Sequence, residues 1–143
     1  MIKAILGYDF SEYAEKAIKF TINNLSNRIH YLELIYVIGL NKLVILNSEE
    51  IYRFKAEIEK KLQEKVSEIS KYITECKYTI AYGEDISDTI YKYAKENKFD
   101  LIIIGRRGLN KIEYALVGSV SGKLLKISDI PILIIESYKI YDS

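Results

Sequence analysis

Residues 101–119 read Leu101-Ile102-Ile103-Ile104-Gly105-Arg106-Arg107-Gly108-Leu109-Asn110-Lys111-Ile112-Glu113-Tyr114-Ala115-Leu116-Val117-Gly118-Ser119. The apolar run at the start is typical of a strand that is buried on both faces of a parallel sheet. Ser119 begins a segment with helical periodicity. A strand, a glycine-containing loop and a helix N-terminus place free backbone N–H groups and a helix dipole around one point. The stretch therefore predicts a phosphate-binding loop.

Three glycines and one serine give this loop its expected chemistry. We expect Gly105 to follow the strand directly, where a side chain would block close approach of a ligand, and Gly108 to allow a positive φ. Gly118 precedes Ser119, whose hydroxyl and adjacent helical N–H groups suit a triphosphate. The spacing matches neither the P-loop nor the GxGxxG pattern of dinucleotide folds. The alternative is that the glycines serve only a tight turn and helix packing.

The rest of the chain alternates strand and helix patterns. Strands are predicted at Ile2–Tyr8, Arg28–Ile38, Cys76–Tyr82, Leu101–Ile104 and Pro131–Ile135, and helices at Glu12–Leu25, Ser48–Ile73, Ile86–Asn97 and Ser119–Ile127. Strands made of Ile, Leu and Val runs predict an open parallel α/β sheet with helices on both faces. In such a fold the ligand crevice lies at the carboxyl ends of the strands, where the strand order reverses.

Composition narrows the classes of function. The 143 residues suit one domain, and 20 acidic residues nearly balance 21 basic ones, so we expect neither nucleic-acid nor membrane-surface binding. The N-terminus runs directly into a strand and no apolar stretch approaches the roughly 20 residues of a membrane span, which predicts a cytoplasmic protein. Cys76 and His30 are the only residues of their types, which excludes an intrachain disulfide, a cysteine-based zinc site and a histidine-pair metal site.

The glycine spacing is also informative as a family pattern. The arrangement Gly105-x2-Gly108-x9-Gly118-Ser119 resembles the nucleotide-binding signature of the universal stress protein family. Similar matches to the family's first strand, third strand-to-helix turn and closing strand are found at Ile2–Ser11, Gly83–Ile86 and Ile130–Ile135. The resemblance covers residues 1–143 as one domain. It implies a strand order of 3-2-1-4-5, ATP as the ligand, and a homodimer formed by edge pairing of strand five, Pro131–Ile135.

The resemblance assigns roles to individual residues. Asp9 would face the ribose or, through Mg²⁺ or Mn²⁺, the phosphates, and the backbone at Val37 would meet adenine. The ribose and phosphates would be contacted by Gly105, Gly108, Gly118, Ser119 and Val120. Arg106, with its neighbour Arg107, would add positive charge beside the phosphates. Relatives often have proline two residues before the acidic position; the glycine here, Gly7, predicts a looser loop around Asp9.

The chain offers little that could catalyse a reaction. His30 has no orienting partner in a serine–histidine–aspartate pattern. The loop after the first predicted strand, Gly7-Tyr8-Asp9-Phe10, lacks the acidic pair of receiver domains, the histidine motif of adenylyltransferases and the Ser-Gly-Gly loop of ATP pyrophosphatases. We therefore expect a nucleotide-dependent regulatory dimer with an unidentified protein partner and slow or no hydrolysis. The alternatives are a nucleotide-free interaction module of the same fold, or an ATPase or transferase acting on an unknown substrate.

Overall fold

The computed structural model describes residues 1–106 and 119–136. Its elements, in chain order, are β1 (Ile2–Gly7), α1 (Glu12–Leu25), β2 (Ile29–Gly39), α2 (Leu40–Leu43), α3 (Ser48–Ile69), β3 (Glu75–Gly83), α4 (Ile86–Glu96), β4 (Leu101–Arg106), α5 (Ser119–Ile127) and β5 (Ile132–Glu136). The five strands form one parallel sheet in the order β3-β2-β1-β4-β5. The predicted α/β class and strand order are confirmed.

Two element bounds differ from the predictions by two residues or more, and one short helix was not predicted, each for an identifiable reason. The predicted long helix ends at Ile69 instead of Ile73; Ile73 continues the apolar period but is a fully buried residue of the turn that follows the helix. Strand β4 runs on to Arg106 because Gly105 and Arg106 pair with β5, although neither residue is apolar. The short helix α2 was not predicted, since four residues are too few to show helical periodicity.

Helices cover both faces of the sheet, and each face has its own core. On one face α1 and α3 pack over side chains such as Leu6, Leu34 and Ile103. On the other face α4 and α5 pack over Ile5 and Ile102. Successive strand residues thus alternate between two buried faces, which explains the unbroken apolar runs in the sequence. Among the described helices, none combines the length and the hydropathy needed to cross a membrane.

The single cysteine supports a first prediction. Cys76 is buried on β3, and this burial, with a smaller contribution from the charge of Glu33, raises the pKa of its thiol to about 12. Because the thiolate is the reactive species, we expect Cys76 in the folded protein to resist a thiol reagent at pH 8. The measurement compares labelling rates in buffer and in denaturant, and a difference of at least about 100-fold is expected from the thiolate fraction. Equal rates would contradict this assignment.

Candidate functional site

A cleft lies at the carboxyl ends of β1 and β4, where the strand order reverses. The connection after β1 leads to β2 on one side of β1, whereas the connection after β4 leads to β5 on the other side. The two connections diverge and leave a crevice between them. The cavity volume of the cleft is about 130 Å³. Four of the predicted site residues line it together, namely Asp9, Val37, Gly105 and Val120. The structure thus brings together residues that are far apart in the sequence.

Asp9 lies in the loop between β1 and α1, and its carboxylate shapes that loop. Asp9 Oδ1 accepts a hydrogen bond of 3.0 Å from the backbone N–H of Ser11, and Ser11 Oγ in turn accepts one of 3.2 Å from Ala14 at the start of α1. Phe10, between them, has a φ of 65° and packs its ring against Tyr8. The carboxylate is exposed at the mouth of the cleft. These hydrogen bonds connect the loop to the start of α1, and the looser loop expected from Gly7 remains a prediction.

Val37 presents to the cleft backbone groups that no other described residue bonds. Strand β1 ends at Gly7, which pairs with Ile35, and the N–H of Tyr8 donates to the carbonyl of Ile35 at 3.0 Å. Groups two residues apart on a strand point to the same side, so the N–H and C=O of Val37 also face this side, beyond the end of β1. Strand β2 continues to Gly39 alongside β3. A donor and an acceptor are therefore held side by side on a rigid strand.

Gly105 lines the cleft, but its missing side chain has a second purpose. A Cβ atom at this position would lie 2.3 Å from the backbone oxygen of Tyr13 and 2.7 Å from its carbonyl carbon. The first turn of α1 therefore occupies the space next to Gly105. The sequence-based explanation, that a ligand needs this space, is incomplete because a helix backbone already fills it.

The N-termini of two helices meet next to the cleft. Ser119 is exposed at the first turn of α5, and the hydroxyl of Ser87 on α4 donates to the backbone oxygen of Val120 at 3.1 Å. This contact ties the first turn of α5 to that of α4. Both helix dipoles thus present their positive ends at the same edge of the sheet. Gly108 and Gly118 lie outside the described residues.

Comparison with known proteins agrees with this arrangement. Residues 1–136 match the model of the Universal stress protein family. The chain belongs to this family.

Individual family members show how far the likeness extends. A universal stress protein of Methanocaldococcus jannaschii is 27% identical over 141 residues, which are 96% of this chain and 83% of the relative. The solved structure of the universal stress protein UspA from Lactobacillus plantarum has a TM-score of 0.73 and 24% identity, with 94% of this chain and 98% of that one covered. The universal stress protein from Archaeoglobus fulgidus, solved in complex with dAMP, has a TM-score of 0.66 and 20% identity, with 95% and 98% covered. The two structures show the shared fold.

In this universal stress protein, Arg106 lies beside the cleft and is engaged in an ion pair. Its Nη1 is 2.7 Å from Oε1 of Glu136, and the two side chains are only 16% and 35% exposed. The pair joins the last residues of β4 and β5. The predicted contact of Arg106 with phosphate remains a prediction, and it would require the guanidinium to share its donors between Glu136 and the ligand.

A lysine that the sequence did not single out joins α5 to the start of α4. Lys123 Nζ lies 2.7 Å from Oδ2 of Asp85, the N-cap of α4, and 3.1 Å from Oδ2 of Asp88. The hydrogen bond from Lys123 lowers the pKa of Asp85, and the same bond raises the pKa of Lys123. Asp85 could be recognised as an N-cap residue and Asp88 as a first-turn acid. Their basic partner could not, because it is 38 residues away in the sequence.

The described residues contain no group of three or more His, Cys, Asp or Glu side chains that could hold a metal ion. Asp9 is thus a single carboxylate at the cleft. A divalent cation there would need oxygen ligands from the phosphates of a nucleotide as well.

Proposed function

We propose that the protein binds ATP in the cleft between β1 and β4 and acts as a nucleotide-dependent regulatory homodimer of the stress response. The observation that carries the proposal is the backbone edge at Val37, which is directed into a cleft that Val120, in the first turn of α5, also lines. Adenine has a ring-nitrogen acceptor next to an amino donor, which matches an N–H and a C=O on one strand residue. Ile35 and Ile90 provide apolar walls for the base.

The triphosphate belongs at the other end of the cleft. Ser119 and Val120 would donate from the first turn of α5, where the helix dipole favours an anion. Gly105 and Arg106 would contact the ribose and phosphates from the end of β4, together with Gly108 and Gly118. The complex of the Archaeoglobus fulgidus protein with dAMP supports nucleotide binding by this fold.

Asp9 would lie close to a Mg²⁺ or Mn²⁺ ion held on the phosphates. Such an ion neutralises phosphate charge. In the described cleft, the carboxylate of Asp9 is the acidic group at the mouth, and it already accepts the N–H of Ser11. A strong general base is thus not available there, so the proposal includes slow or no hydrolysis. We propose a cytoplasmic location, where ATP is supplied to the site, and a homodimer formed through the edge strand Pro131–Ile135, with a further protein as the target of the signal.

Binding is tested by calorimetric titration of ATP with Mg²⁺ and by extraction of nucleotide from the purified protein. The sharpest variant is Val37→Pro, which removes the N–H that faces the cleft and leaves the groups that face β3 intact. We expect Val37→Pro to weaken binding about 5- to 13-fold, since one buried hydrogen bond is worth about 1–1.5 kcal/mol. The matched control Val37→Ala keeps the N–H and is expected to bind within about threefold of the wild type.

A second variant, Gly118→Val, tests the predicted phosphate loop and should also lose binding while retaining the circular dichroism spectrum of the wild type. A wild type that binds no nucleotide at millimolar ATP with Mg²⁺ would refute the proposal and favour the nucleotide-free interaction module. Turnover well above that of Gly118→Val would favour the ATPase or transferase instead.

A further inference from the structure

The outer edge of β3 is the longer of the two sheet edges. Strand β3 has nine residues, Glu75–Gly83, and pairs with β2 in an unshifted register along its whole length. At the opposite edge β5 has five residues and is preceded by Pro131. Natural edge strands are usually protected by shortness, proline, bulges or charged side chains. Strand β3 has none of the first three, and its charged side chains, Glu75 and Lys77, are confined to its first three residues.

Alternation along β3 identifies the backbone groups that point outward. The backbone groups of Ile35 face β1, so those of its neighbour Tyr36 face β3. Tyr36 is in register with Ile80 and therefore bonds to Thr79 and Ala81, the residues on either side of Ile80. The N–H and C=O of Ile80 therefore point away from the sheet, as do those of Tyr78, Tyr82 and Cys76. Within residues 1–106 and 119–136, none of these outward groups has a backbone hydrogen bond outside the sheet. They form a ladder of donors and acceptors that spans seven residues.

We propose that a second copy of this chain pairs with β3 in antiparallel fashion, about a two-fold axis at Thr79. This register places every outward residue opposite an outward residue, pairing Tyr78 with Ile80 of the second copy and Cys76 with Tyr82. Aromatic and aliphatic cross-strand pairs of this kind stabilise sheets. Thr79 meets its own copy at the axis, which is a favourable threonine pair, and no like charges lie opposite each other.

Charge complementarity supports the second copy as the occupant. A groove runs between β3 and α4, and its lining includes the acidic side chains Glu84, Asp85, Asp88 and Glu96. Lys92 also lines the groove, and Lys123 neutralises part of its charge by pairing with Asp85 and Asp88. The groove remains acidic because it has four carboxylates and only two ammonium groups. In the proposed register Lys77 of the second copy lies opposite Ala81, whose small side chain opens onto this groove, and Glu75 lies opposite Gly83 at the end of the groove. Lys77 is 3.6 Å from Glu75 of its own chain, but this pair is exposed and therefore weak, so the ammonium group can turn to the groove carboxylates.

This interface goes beyond the proposed function. The proposed nucleotide-dependent dimer uses β5, at the other edge of the sheet, so the β3 interface is independent of it. Two-fold pairing at β3 would make the sheets of two chains continuous. Simultaneous pairing at both edges would join dimers into larger assemblies.

Disulfide cross-linking tests the position of the axis. In a Cys76→Ala background, Thr79→Cys would place two thiols across a non-hydrogen-bonded pair whose Cα atoms are about 4.5 Å apart, within disulfide range. The control Lys77→Cys would place its thiols four residues apart along the strands, about 14 Å, which is too far. We expect Thr79→Cys to form a covalent dimer at least ten times faster than Lys77→Cys under mild oxidation. Equal rates would overturn the proposed register.

Mass measurement by light scattering tests the interface itself. Ile80→Pro removes an outward N–H without breaking the ladder to β2, and Ile80→Ala is the matched control that keeps it. All variants carry Ile134→Pro, which removes an outward N–H of β5 and so weakens pairing at that edge. In this background we expect a dimer when residue 80 is isoleucine or alanine, and a monomer when it is proline. Monomers throughout, or dimers throughout, would overturn the proposal. Ile80 does not line the cleft, so Ile80→Pro should bind ATP as the wild type does. ATP titration of this variant therefore distinguishes loss of the β3 interface from loss of nucleotide binding.

Discussion

Replacement of Gly105 by alanine is expected to lower the free energy of unfolding by about 3–5 kcal/mol, at the upper end for a single substitution. The added Cβ would meet the backbone oxygen of Tyr13 at 2.3 Å and the N–H nitrogen of Ala14 at 3.2 Å. These are main-chain atoms of α1, so relief requires displacement of the whole helix from β4. Overpacking against backbone cannot be relieved by a change of rotamer.

Gly39→Ala is the matched control. Its Cβ would meet the side-chain oxygen of Asn41 at 2.9 Å, and an exposed side chain can rotate away. The φ of Gly39 is −68° and its ψ is 131°, a conformation that alanine adopts readily. We expect a change within about 1 kcal/mol, of either sign, because alanine also restricts the unfolded chain. Urea unfolding measures both variants, and a Gly105→Ala protein as stable as Gly39→Ala would show that α1 does not pack as described.

The second large effect is a loss of stability in alkali. Burial, followed by hydrogen bonding to a carboxylate, raises the pKa of three tyrosines, that of Tyr93 to about 12. Tyr8, which is 3% exposed, donates to Glu15, which also pairs with Lys65 at 2.9 Å. Tyr31 and Tyr93 both donate to the buried carboxylate of Glu33.

The direction of the pH effect follows from proton binding. Below about pH 10 these tyrosines are protonated in both the folded and the unfolded chain, so they add no pH dependence. Above that pH the unfolded chain releases protons that the folded chain retains, and stability falls as the pH rises. Each group contributes a slope of up to about 1.4 kcal/mol per pH unit, or about 4 kcal/mol for the three. We therefore expect unfolding within roughly 2–3 units above pH 10, given typical domain stabilities.

Tyr8→Phe separates this mechanism from general alkaline unfolding. The variant removes one titrating hydroxyl and leaves Glu15 paired with Lys65. We expect the slope of unfolding free energy against pH, above pH 10, to fall by up to about 1.4 kcal/mol per pH unit. Tyr72→Phe removes an exposed hydroxyl and is the control. The slope is measured by denaturant titrations at several pH values, and an unchanged slope in Tyr8→Phe would contradict the assignment.

The place of the candidate site follows from topology, because in a parallel sheet the loops after the strands lie at one edge. The glycine loop pointed to Gly105 and the family resemblance to Asp9 and Val37, and all three line one cleft in the structure. The details of each residue could not be predicted in the same way. The Arg106–Glu136 pair depends on the register of β5 against β4, and the contacts of Lys123 depend on how α5 packs on α4.

The sequence by itself determined the α/β class, the order of most elements and the place of the cleft, because local hydrophobic periodicity and turn residues are properties of neighbouring residues along the chain. Only the tertiary structure decided why Gly105 must lack a side chain, which tyrosines surround Glu33, and which edge of the sheet has unprotected backbone groups. These depend on distances between segments that are remote in sequence. Such distances are set by helix packing and strand register, which no local pattern encodes.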